Sequence, residues 1–420
     1  SPNPQTFSHF CKHLKTLKSP KGLYIDCNNK NSSNIQLTNV NLIELAAALK
    51  KMHRSLTTLS LSFQNNLQAY TDYKFGISKL LQAIRKNRHF EKLYLNFGEA
   101  RSALRLEDLM IVYSSVSRLN RLKAFHLNFS GASGYHENPN PFINSVRSLG
   151  KLKLMEDLSI TFEKFSSHTD GEIEAFSHIK RMRKLSKISL NFLHTKMQFE
   201  TTLDNFAYSL TKLTKLQKLQ ISFPRFYINP SSKIFYIIAK TLQTSPTLSI
   251  LNLDLSYNPR FSTTDLQKML YHVQSQLCLS QLNLNFSFCS GLDNKTLQVL
   301  AQSIMNLKNL TSLKLNLSEC PLINGQTLPS LSNILKKLTS SLQVLELSLF
   351  NSSPLQDFSS FCEALSKVTN LYRVSLNFSH CRDLQDKDIK ELSKTLKGLK
   401  SLRNLDLDLS FVPQITDHSI

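Results

Sequence analysis

Seven cysteines and twelve histidines are the side chains of this 420-residue chain best able to act as nucleophiles, general bases or metal ligands. A zinc site needs a ligand pair such as Cys-x-x-Cys or His-Glu-x-x-His, and neither occurs. Backbone loops that cradle nucleotide phosphates need glycine, and the ten glycines form no G-x-G-x-x-G and no P-loop. Gly398-Leu399-Lys400-Ser401 has only the closing letters of one. Cys11, Cys27, Cys278, Cys289, Cys320, Cys362 and Cys381 are odd in number and scattered, unlike a disulfide framework. Cys289, Cys320 and Cys381 recur in step with one another, which is what packing positions do. The chain therefore reads as a non-enzyme with reduced thiols, no metal and no cofactor.

The elements that carry these residues repeat. Leu59-Ser60-Leu61-Ser62-Phe63 returns as Leu93-Tyr94-Leu95-Asn96-Phe97 and keeps returning until Leu405-Asp406-Leu407-Asp408-Leu409. Eleven steps separate Leu59 from Leu405, so the period is about 31 residues, the mark of a solenoid, propeller or array. Alternation of apolar and polar residues, as in Leu282-Asn283-Leu284-Asn285-Phe286, predicts a short strand with one apolar face. A turn segment follows, then Leu297, Leu300, Ala301 and Ile304 at the spacing of an amphipathic helix. One strand and one helix cannot bury their apolar faces alone, so units must stack, with parallel strands and helices outside. A doubly wound sheet would make both strand faces apolar, whereas here one face carries Asn, Ser, Thr and Asp.

Ile250, Leu253, Leu255 and Asn258 fit the pattern L-x-x-L-x-L-x-x-N/C-x-L, as do Leu284, Phe286 and Cys289, then Leu315, Leu317 and Cys320, then Leu376, Phe378 and Cys381; Leu61, Phe63 and Asn66 agree near the start. On these residues the chain resembles the leucine-rich repeat family, and Cys289-x-x-Leu292-Asp293 ahead of Leu297 resembles its cysteine-containing, ribonuclease-inhibitor-like branch. The resemblance implies an α/β solenoid, a curved horseshoe with parallel strands on the concave face and helices on the convex face. It also implies that the Asn or Cys sits in the turn after each strand, where Asn bonds buried backbone and Cys fills space with a weak donor. Ala100, Ala132, Phe165 and Phe226 depart from that ladder.

The expected organisation is a single array over 1–420 of 12 to 13 units, with 1–54 a degenerate first unit and 55–420 regular. Leu23, Ile25 and Cys27 suit a first strand, and Phe7, Phe10, Cys11, Leu14 and Leu17 a preceding helix. Neither terminus reads as a polar cap, so the chain is expected to be a fragment of a longer protein. No run approaches the roughly 18 to 20 apolar residues of a membrane span and no signal-peptide core is present. An intracellular, cytoplasmic protein is expected, with the nucleus or a cytoskeletal assembly as alternatives. Sequons such as Asn128-Phe129-Ser130 follow from Asn and Ser usage on the strands.

A formal net charge of +21 biases the protein toward acidic partners. On the polar wall of the sheet the least bland residues are Tyr94 and His126, adjacent in successive units. Asn128, Asn283 and Asn285, with the acidic Asp254, Asp406 and Asp408, complete the candidates there, beside Glu346. Solvation of an exposed sheet face is the favoured account of most of these positions taken singly. Positive charge recurs at helix ends and the turns into the next strand, as at Arg85, Lys86 and Arg88, then Arg118, Arg121 and Lys123. It is densest at Lys180, Arg181, Arg183, Lys184 and Lys187. Cations complement a helix C-terminus by roughly 0.3 to 1 kcal/mol each, which accounts for one per unit and not for that cluster. The expected function is a protein-interaction scaffold or adaptor binding an acidic protein. Alternatives are an RNA-binding subunit using the basic rim, and a regulatory or substrate-recognition module of a multidomain enzyme or ubiquitin-ligase adaptor.

Overall fold

The computed structural model describes residues 4–28, 37–64, 74–98, 106–130, 147–163, 177–193, 200–225, 233–258, 263–323, 325–352 and 354–416. Two compact units divide the chain, Ser1–Leu216 and Gln217–Ile420. The first runs α1 (Pro4–Leu14), β1 (Gly22–Asp26), α2 (Asn39–Lys51), β2 (Thr58–Ser62), α3 (Lys74–Lys86), β3 (Lys92–Asn96), α4 (Leu106–Val116) and β4 (Ala124–Phe129). It continues through a 3-10 turn η1 (Ser148–Lys151), β5 (Asp157–Glu163), a second turn η2 (Ile179–Arg181), β6 (Lys187–Leu193) and α5 (Glu200–Leu210). The second runs β7 (Lys218–Ser222), α6 (Lys233–Thr244), β8 (Ile250–Asp254), α7 (Thr263–Val273), β9 (Gln281–Asn285), α8 (Asn294–Met305) and β10 (Ser312–Asn316). It ends with α9 (Thr327–Lys337), β11 (Val344–Ser348), α10 (Phe358–Ser366), β12 (Arg373–Asn377), α11 (Asp386–Gly398) and β13 (Asn404–Asp408).

Within each unit every strand pairs in parallel with the next in sequence. The in-register row in the first is Leu23, Leu59, Leu93, Phe125, Leu158 and Ile188. In the second it is Leu219, Leu251, Leu282, Leu313, Leu345, Val374 and Leu405. Such stacking turns the period-2 pattern into a continuous apolar layer, and all but Leu405 are buried. Each buried Leu or Phe contributes about 1.5 to 3 kcal/mol relative to exposure. Helices cover this layer with their own stripes, as Leu297, Leu300, Ala301 and Ile304 of α8 do. The units are therefore α/β solenoids with one strand layer and one helix layer, the arrangement expected from the leucine-rich repeat resemblance.

Two backbone devices fix the pitch. Where the chain enters a strand, two successive N–H groups share one carbonyl of the previous repeat: Ser280 and Gln281 on Ser249 O, then Thr311 and Ser312 on Ser280 O, at 2.8 to 3.0 Å. Beyond the strand, the turn is stitched to its neighbour from inside. Asn258 Nδ2 donates to Phe223 O and Leu255 O at 2.8 and 2.7 Å. Cys289, Cys320 and Cys381 Sγ lie 3.1, 3.1 and 3.0 Å from Leu255 O, Phe286 O and Leu349 O. Burial pushes the Cys289 thiol up to about 12 and those of Cys320 and Cys381 to about 11. These thiols serve as structural donors. The ladder departures Ala100, Ala132, Phe165 and Phe226, and Asn66, lie outside the described residues.

Candidate interaction surfaces

Asn and Asp residues at the ends of strands, final or one residue before, are held by their own backbone. Asn128 Oδ1 accepts the N–H of Ser130 at 3.1 Å, Asp254 Oδ1 that of Ser256 at 3.1 Å, and Asp408 Oδ1 that of Ser410 at 3.0 Å. Asn96, Asn285, Asn316 and Asn377 close the same two-residue turn. A carboxamide or carboxylate bonding its backbone two residues on is an Asx turn, and at these positions it closes the strand where the chain must bend toward the helix. Hydrogen bonds from Ser410, first from its side chain, hold the Asp408 carboxyl below its ordinary value. The Asn-x-Ser spacing that repeats through the sequence is this turn.

The other outward row is free of that duty. In the first unit it aligns Tyr24, Ser60, Tyr94, His126, Ser159 and Ser189. Tyr94 meets the His126 ring edge-on at 4.7 Å, and His126 Nε2 lies 3.0 Å from Asp157 Oδ1, off the hydrogen-bonding direction. Burial first, then the charge of Asp157, pushes the Tyr94 phenol up. Tyr24, 70% exposed, belongs beside them; the Leu23–Ile25 alternation signalled its outward placement. In the second unit the acidic character of the wall is reduced by neighbours. Glu346 is bracketed by Lys314 at 2.8 Å and Arg373 at 3.2 Å, and Asp406 Oδ2 accepts the Ser375 hydroxyl at 3.2 Å. Asn283 lies between Asn252 and Lys314 in the register.

The basic edge of the first unit is concave. Arg85 and Lys86 end α3, Arg88 follows, Arg118 lies just beyond α4 and Lys151 ends η1. These five cations line one groove of about 920 Å³. No Asp or Glu lines it, and none of the five pairs with a carboxylate among the described residues. The hydroxyls of Ser114 and Ser117 on its wall already donate to helix carbonyls. In the cluster farther along the chain, Lys180 sits half-buried over the Tyr208 ring at 5.2 Å, with Lys212 at 4.6 Å. Arg181, Arg183, Lys184 and Lys187 are exposed. The five are carried by different elements: Lys180 and Arg181 belong to η2, and Lys187 opens β6.

Sequence reasoning missed a row in the second unit, the residue directly before each ladder position. Arg225, Tyr257, Phe288, Glu319, Asn351, His380 and Phe411 all have left-handed backbone, φ 50 to 60°. Each of the first six donates its N–H to a carbonyl of the following repeat, as Tyr257 does to Ser287 O at 2.8 Å. Their side chains stack outside: Arg225 over Tyr257 at 4.7 Å, Tyr257 on Phe288 at 4.2 Å, and His380 on Phe411 at 4.7 Å. The dipeptides Tyr257-Asn258, Phe288-Cys289 and His380-Cys381 were the available signal.

Among the described residues no group of three His, Cys, Asp or Glu side chains could hold a metal ion, and no helix is long and apolar enough to cross a membrane. No family model and no curated protein matches the chain. Solved structures do. The yeast Rad7–Elc1 complex matches at 15% identity and TM-score 0.42, covering 91% of this chain and 86% of that one. The leucine-rich repeat-containing protein LegL7 from Legionella pneumophila matches at 15% and 0.37, covering 90% and 97%. A TLR13–ssRNA13 complex matches at 15% and 0.28, covering 89% and 52%.

Proposed function

We propose that this chain, a leucine-rich repeat solenoid by fold, is a non-catalytic interaction scaffold that binds an acidic protein along its basic edge. The observation that carries the reading is recurrence without compensation. Arg85, Lys86 and Arg88, then Arg118, then Lys151, then Arg181, Arg183 and Lys184 follow one another at unit-to-unit equivalent turns, with no described carboxylate paired to them. Cations that served the fold alone would be one per helix end. A positive field of this density steers acidic partners and weakens with salt. The buried free thiols suit a reducing compartment, inside the cell.

Fluorescence anisotropy of the purified chain with a labelled glutamate-rich peptide, against a neutral peptide of equal length, tests the reading at low and high salt. Selective binding of the acidic peptide that collapses at high salt supports it. Equal affinity for both peptides, or none for either, removes it.

A further inference from the structure

The groove at the ends of α3, α4 and η1 is more specialised than the edge it belongs to. Three arginines and two lysines line about 920 Å³, a space about 10 Å across, and among the described residues no carboxylate joins them in the lining. Guanidinium groups present planar forks that fit phosphate and carboxylate oxygens two at a time, so either anion could enter. Charge density separates them. An extended peptide advances about 3.3 Å per residue and shows alternate side chains to one side. Five carboxylates facing the groove would therefore spread over about 26 Å, well beyond its span. A phosphomonoester carries about −1.5 to −2. Two on alternate residues bring −3 to −4 within about 7 Å, which fits the space and offsets most of the charge of the five cations. Nucleic-acid phosphates carry only one charge each, and among the described residues no aromatic side chain lines the groove to stack a base.

We infer that this groove is a phosphate-recognition site for a protein segment bearing two closely spaced phosphorylated residues, read chiefly by Arg85, Arg88 and Arg118 with Lys86 and Lys151. The inference rests on the reading of the edge as a surface for an acidic protein, and narrows it to a partner whose binding is switched on by phosphorylation. The partner's phosphates supply the charge density that carboxylates on an extended chain cannot reach, and the remaining edge contributes salt-sensitive attraction.

The test uses the purified full chain and four labelled probes of one length. They are a peptide with two phosphoserines on alternate residues, its unphosphorylated form, a form with four glutamates, and a single-stranded oligonucleotide of matched charge. Two variants accompany the native chain: Arg85→Gln/Arg118→Gln/Lys151→Gln in the groove and Arg181→Gln/Arg183→Gln/Lys184→Gln outside it. All substituted side chains are exposed, and circular dichroism checks folding. The expected result is that the diphosphopeptide binds at least about tenfold tighter than the glutamate peptide. The groove variant should lose that tenfold and the other variant keep it. Equal binding of diphosphopeptide and glutamate peptide overturns the phosphate site while leaving the acidic-partner reading standing. Binding by neither overturns both. An oligonucleotide that matches the diphosphopeptide in a groove-dependent way also overturns the inference, in favour of nucleic acid.

Discussion

Asn285 Oδ1 accepts both the backbone N–H and the hydroxyl of Ser287, at 3.1 and 2.9 Å. Asn283, two residues earlier on the same face of β9, closes no such turn. The two asparagines look alike in sequence and differ in duty. Replacing Asn285 with Ala should cost about 1 to 2 kcal/mol in urea unfolding, because the Ser287 N–H loses its acceptor. Replacing Asn283 with Ala should stay within about 0.5 kcal/mol. Equal effects at both positions would contradict the turn assignment.

Leu284 stands between them and faces the other way, fully buried. A carboxylate there has no partner, and an uncompensated buried charge costs several kcal/mol. Leu284→Asp should markedly lower the thermal transition or abolish it, while Asn283→Asp leaves it nearly in place. Differential scanning calorimetry of both variants gives the comparison.

Thiol chemistry offers a third check. Cys278 is the exposed member of the seven cysteines, and the other six are buried. A neutral-pH thiol reagent should therefore modify one cysteine rapidly in the native protein and all seven in denaturant. Alkaline pH tests the same burial. A thiol raised from 9.0 to about 12, as at Cys289, or to about 11, as at Cys320, keeps its proton in the folded state after the unfolded chain has lost it. That contribution is intact below about pH 9 and falls away as pH rises toward 11 to 12. A Cys289→Ala/Cys320→Ala variant should lose stability less steeply over this window, measured by denaturant unfolding at successive pH values.

The left-handed row makes a fourth prediction. A non-glycine residue in that conformation is strained by roughly 1 to 2 kcal/mol. Glu319, at φ 56°, makes one exposed side-chain bond, to Asn351. Glu319→Gly should stabilise the chain by up to about 1 kcal/mol, since relief of strain outweighs the greater freedom of glycine when unfolded. Phe288→Gly, which also removes the stack on Tyr257, should gain less or lose. Chemical denaturation of the two variants should rank them in that order.

Legibility followed physical periodicity. The strands could be read because Leu59, Leu93 and Leu282 recur with period 2 around them, and the Cys289, Cys320 and Cys381 ladder because its spacing matches theirs. The role of Asn285 was present as an Asn-x-Ser spacing but indistinguishable from polar filler until the Ser287 N–H was seen to need an acceptor. The row from Arg225 to Phe411 had only its place before the ladder residues as a signal, since left-handed turns usually advertise themselves with glycine and here Tyr, Phe, Glu and His fill them. The groove was hidden for another reason: Arg85, Arg118 and Lys151 stand about one repeat apart, and only stacking brings them together.

In the row from Arg225 to Phe411, it is the main chain that bonds one repeat to the next, so the side chain at each position is released from any role in setting the pitch. The molecule already exploits that release: seven consecutive positions hold six residue types, cationic, anionic, amide and aromatic. New surface chemistry can accordingly be written there one repeat at a time without re-solving the fold.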